Sequence, residues 1–88
     1  MSPEEYSSVL EAAATEMRKN GIKALCMGAG LARFVRAERG VRAVEISGLM
    51  PGASLDVFEN GRDLSRPDLF ETIEAATAEA IAWLTEKG

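Results

Sequence analysis

At 88 residues the chain can close one hydrophobic core, so it reads as a single domain. Its 47% hydrophobic and 27% charged residues are those of an ordinary globular protein, and its net charge of −4 argues against a binder that works by neutralising phosphates. The absence of histidine removes the side chain best suited to proton transfer at neutral pH, and one cysteine builds neither an internal disulfide nor a zinc cage.

The chain opens with a helix-start signal. Ser2 is placed to cap, Pro3 to occupy the first helical position and Glu5 to complete the capping box, with a helix predicted to about Lys19. Tyr6, Val9, Leu10, Ala13 and Met17 recur at three- and four-residue steps and form its apolar face, and Asn20-Gly21 supplies a left-handed stop. Glu4 and Glu5 stand where a secretory leader would carry positive charge, and no apolar run approaches the roughly 18 residues of a membrane span. The expectation is a soluble cytoplasmic domain with no membrane partner.

Ile22 to Met27 reads as a strand interrupted at Gly28-Ala29-Gly30, with Cys26 as a small buried hydrophobe whose thiol stays protonated. Gly28-Ala29-Gly30-Leu31-Ala32 begins like a dinucleotide-binding turn. Arg33 stands where the third glycine belongs, and a strand follows where phosphate binding needs a helix N-terminus. No cofactor is implied.

Glu38-Arg39-Gly40 suits a three-residue hairpin loop in which glycine takes the left-handed position. That loop sets Arg36 opposite Arg42, Phe34 opposite Val44 and Arg33 opposite Glu45. Ala32, Phe34, Val44 and Ile46 would then face the core, and Arg33, Val35, Ala43 and Glu45 the other side. Gly48 to Gly52 reads as a loop and Ser54 to Glu59 as the third strand, with Leu55 and Val57 inward and Asp56 and Phe58 outward. Asn60-Gly61 marks a turn, after which Arg62 to Leu64 either returns briefly as a strand or leads to the last helix.

Ser65-Arg66-Pro67-Asp68 is a second helix-start signal. It predicts a helix from about Arg66 to Glu86 with a stripe of Leu69, Phe70, Ile73, Ala76, Thr77, Ala80, Ile81 and Leu84. The fold class is α+β, a two-layer sandwich in the order α-β-β-β-α, whose antiparallel sheet of three to four strands carries both helices on one face. Double-stranded RNA-binding domains share that order, but their second helix opens with a basic cluster. Here it opens Pro67-Asp68-Leu69-Phe70-Glu71, so no nucleic-acid partner is expected.

Two surfaces remain. Val35, Val41, Ala43 and Phe58 on the uncovered sheet face, ringed by Arg33, Glu45 and Asp56, predict a protein-protein interface and a homodimer. Alternatively, Arg36, Arg39 and Arg42 on the hairpin would hold a phosphate or carboxylate as a small-ligand or anion site. The acidic group Asp56, Glu59, Asp63 and Asp68 lacks calcium-loop spacing and reads as a solvated rim, so no metal is assigned. Without a nucleophile–base pair the chain reads as non-enzymatic.

Overall fold

The computed structural model describes residues 2–48, 52–64 and 68–86. Two helices accompany an antiparallel sheet: α1 (Pro3–Lys19), β1 (Lys23–Met27), a 3-10 turn (Gly30–Ala32), β2 (Phe34–Arg39), β3 (Arg42–Gly48), β4 (Ala53–Glu59), β5 (Arg62–Asp63), β6 (Asp68–Phe70) and α2 (Ile73–Thr85).

Helix α1 starts and stops where its sequence dictates. The Glu5 amide donates to Ser2 Oγ (3.2 Å), and Pro3 occupies the first turn, where its missing N–H costs nothing. At the other end Gly21 adopts φ +75°, which lets the Gly21 amide reach the Arg18 carbonyl and the Ile22 amide reach the Met17 carbonyl, both at 3.1 Å. These are the two bonds of a Schellman stop. Met17 and Ile22, at its two ends, are both buried.

The strands run in spatial order β1-β2-β3-β4, and β5 and β6 share the far edge of β4. Four residues separate Asp63 from Asp68, whereas two separate their partners Phe58 and Leu55, so this last lane is an interrupted strand. Ala24, Val35, Ala37, Val44, Ile46 and Leu55 share one face by register and cluster with Leu10, Ala14, Met17, Ile73, Ala76, Ala80 and Leu84 of the helices. At roughly 25 cal/mol per Å² of apolar surface removed from water, this face provides the main driving force for folding.

Among the described residues the sheet has six strands, not the expected three to four, because Arg62–Asp63 and Asp68–Phe70 add short strands to the far edge of β4. Two further expectations are corrected. The hairpin between β2 and β3 has a two-residue loop, Gly40-Val41, with Arg39 paired to Arg42. Gly40 takes φ +63° and Val41 does not share the left-handed region, the pattern of a type II′ turn. Arg36 therefore faces Glu45, not Arg42, and Val35 faces Ile46. The shift in register is odd, so β2 turns over: Val35 and Ala37 enter the core and Phe34 leaves it.

The second correction concerns the last helix. It begins at Ile73, capped by Thr72, whose Oγ1 accepts from the Ala75 amide (3.0 Å). Asp68–Phe70 instead pairs with Ala53–Leu55, because a strand there satisfies the open ladder of β4. Ser65, Arg66 and Pro67, which carried the helix-start reading, lie outside the described residues, as does the centre of the loop expected over Gly48 to Gly52, whose first residue ends β3 instead.

Candidate functional site

Alternation along the strands places three rows of side chains on the face opposite the core. Lys23, Glu38, Ala43, Phe58 and Asp63 form the first, Leu25, Arg36, Glu45 and Asp56 the second, and Met27, Phe34, Ser47, Ser54 and Leu69 the third. Leu25, Met27 and Leu69 are 54%, 43% and 73% exposed, far more than large apolar side chains facing a covered layer. Phe34 is half-buried beside Met27, and Phe58 is half-buried in the first row between Ala43 and Asp63.

The middle row carries the charge. Arg36 Nη1 donates to Glu45 Oε2 at 2.7 Å, and its guanidinium lies 5.5 Å from the centre of the Phe58 ring. Exposed ion pairs of this kind contribute about 0.2–1 kcal/mol, so the pair orders the surface more than it stabilises the fold. Asp56 stands beside Glu45 in the register. Partial burial, then the charges of Asp63 and Glu45, hold its carboxyl above the usual aspartate range.

Of the residues predicted to form an interface, Phe58 and Ala43 lie on this face in direct register. Val41 is exposed in the hairpin loop beside it. Val35 is fully buried on the opposite side and belongs to the core. The sequence assigns Leu25 and Met27 to no surface, and Leu69, expected in the buried stripe of the last helix, is instead exposed on β6. In β1 the larger apolar side chains face outward while Ala24 and Cys26 face α1, an inversion that small residues permit by letting the helix approach the sheet.

The three hairpin arginines do not converge. Arg36 lies on the open face, whereas Arg39 and Arg42 turn toward the end of α2. Arg39 Nη1 donates to the Leu84 carbonyl (3.2 Å) and Arg42 Nη1 to the Trp83 carbonyl (2.8 Å). Arg42 also pairs with Glu59 (3.3 Å) and Glu86 (3.6 Å) and stacks 4.8 Å from the centre of the Trp83 ring. Two guanidinium groups thus satisfy the last carbonyls of α2 and oppose its dipole.

Cys26 is half-buried on the helix side of β1. Burial pushes its thiol up, the Glu11 carboxylate adds to the rise, and Arg33 opposes it. Arg33 itself is bonded to Glu11 (2.7 Å) and Ser7 (2.9 Å). Raising the pKa lowers thiolate content, the reverse of what a nucleophilic cysteine requires.

Among the described residues no group of three or more cysteine and carboxylate side chains is arranged to hold a metal, and no helix is long and apolar enough to cross a membrane. A groove of about 520 Å³ lies between the helices, lined by Val9, Ala12, Ile73, Ala78 and Ile81 with Glu16 and Glu74 at its rim. No family model, curated protein or solved structure matches the chain.

Proposed function

We propose that this chain is a non-enzymatic cytoplasmic interaction domain, a two-layer sandwich whose helices cover one face of the sheet and whose other face binds protein, most simply a second copy of itself. The observation that carries this reading is the set of exposed Leu25, Met27 and Leu69 on the same face as the half-buried Phe34 and Phe58, with Arg36, Glu45 and Asp56 between them and Lys23, Glu38 and Asp63 along one row. Exposed apolar side chains interspersed with charge on one face are the composition of a modest protein interface. The cysteine is muted by its surroundings, and the three arginines point to opposite sides of the sheet, which leaves the open face as the surface best suited to a partner.

Light scattering across a range of protein concentrations tests the reading. The parent is expected to rise above monomer mass with concentration, and Leu25→Asp and Phe34→Asp variants with unchanged circular dichroism are expected to remain monomeric. A parent that stays monomeric at millimolar concentration would sink self-association.

A further inference from the structure

Resting on the open-face reading, we infer that two copies pack face to face about a two-fold axis parallel to the strands and passing through β3, so that Arg36 of each copy meets Asp56 of the other. The rows of the face decide this. Such an axis keeps each row in place and exchanges the strands, setting β2 over β4 and β1 over the interrupted lane of β5 and β6. Arg36 then lies over Asp56, Met27 over Leu69 and Lys23 over Asp63, three favourable juxtapositions, whereas Glu38 lies over a phenylalanine under this axis and under the alternative alike.

The other face-to-face choice, an axis across the strands through the middle row, sets Arg36 over Arg36 and Asp56 over Asp56. It also sets Asp63 over Leu69 and Lys23 over Met27. Like charges meet and charges bury apolar groups, both of which oppose association. Either axis brings Glu45 near its own copy, where Arg36 already neutralises it. Packed sheets cross at about 30°, but β2 and β4 lie only one strand spacing, about 4.8 Å, from β3. Arg36 and Asp56 are therefore displaced by only about 2.4 Å, within the reach of an arginine side chain.

The magnitude follows from the same geometry. Rows about 7 Å apart and lanes about 4.8 Å apart span roughly 19 by 14 Å, well below the roughly 800 Å² per partner of a standard interface. Lys23 and Arg36 are also outnumbered by Glu38, Glu45, Asp56 and Asp63, giving the face a net charge of −2 per copy from these six residues. The dimer is weak and concentration-dependent.

Charge exchange and cross-linking test the axis. Sedimentation equilibrium is expected to show self-association of the parent weakened at least tenfold in Arg36→Asp and in Asp56→Arg, and largely restored in the double exchange. Independently of those variants, a Met27→Cys, Leu69→Cys chain in a Cys26→Ala background is expected to form dimers with a short bismaleimide, joined between positions 27 and 69. Each single-cysteine chain is expected to give little. Dimers that Leu25→Asp dissolves, but that the double exchange does not restore and that link 27 to 27 or 69 to 69, would overturn this axis and leave the open-face reading standing. A monomeric parent overturns both.

Discussion

Tyr6 shows how much one side chain organises. Its hydroxyl donates to the Arg33 carbonyl and accepts from the Gly48 amide (2.8 Å), tying α1 to the start of β2 and the end of β3. The ring occupies the space a Cβ at Gly48 would need, so glycine is required there by sterics and not by a left-handed backbone. Gly48→Ala is expected to cost about 1–3 kcal/mol, read as a lower denaturant midpoint at unchanged slope. A variant as stable as the parent would show that the ring yields freely. Asp56 behaves in the opposite sense. A folded pKa raised above the ordinary value of 3.8 means that the native state holds the proton more tightly than the unfolded chain, so ionisation of Asp56 opposes folding at neutral pH. That penalty shrinks as pH falls through the raised value and is gone below the unfolded one. Asp56→Asn is expected to raise the thermal midpoint of dilute protein at pH 7 and to leave it unchanged near pH 3. The same variant is expected to loosen the dimer proposed above, since it removes the carboxylate proposed to meet Arg36 of the other copy. Opposite signs for folding and association separate the two roles.

The elements divide by how local their determinants are. Helix α1 was legible throughout because Ser2, Pro3, Glu5 and Gly21 act within a few residues of themselves. Strand β4 and the Asn60-Gly61 turn were legible for the same reason: Asn60 at φ 54° and Gly61 at φ 77° form the type I′ loop that this dipeptide favours. The β2–β3 register was not. Gly40 with a positive φ satisfies a three-residue loop that ends on it or a two-residue loop that begins on it, and only the packing of Val35 and Ala37 under the helices selects the second. The start of α2 was hidden similarly. A proline can open a helix or flank an edge strand, and the unpaired ladder of Ala53–Leu55 decides for the strand. With the cap assigned to Thr72, Thr72→Ala is expected to cost about 1 kcal/mol of stability, measured by chemical denaturation. No loss would mean that the helix starts elsewhere.

At the scale of the molecule, the sheet guards its edges and leaves its face open. Arg18 donates from Nε (3.1 Å) and Nη2 (2.9 Å) to the Ala24 carbonyl on the outer strand β1, and β5 and β6 cover parts of the far edge of β4. Both devices hinder ladder extension by another chain, which agrees with the proposal that association uses the face and not the edges. That surface was half legible: the outward Phe58 follows from the alternation of β4, whereas Leu25 and Met27 depend on an inversion that only the fit of α1 against Ala24 imposes. The clamp of Arg39 and Arg42 on the end of α2 has an optical consequence. Trp83, the single tryptophan of the chain, sits under a guanidinium where the hairpin tip meets the terminal helix. Its emission is thus an unlabelled local signal, able to register fraying of that junction before the rest of the sheet gives way.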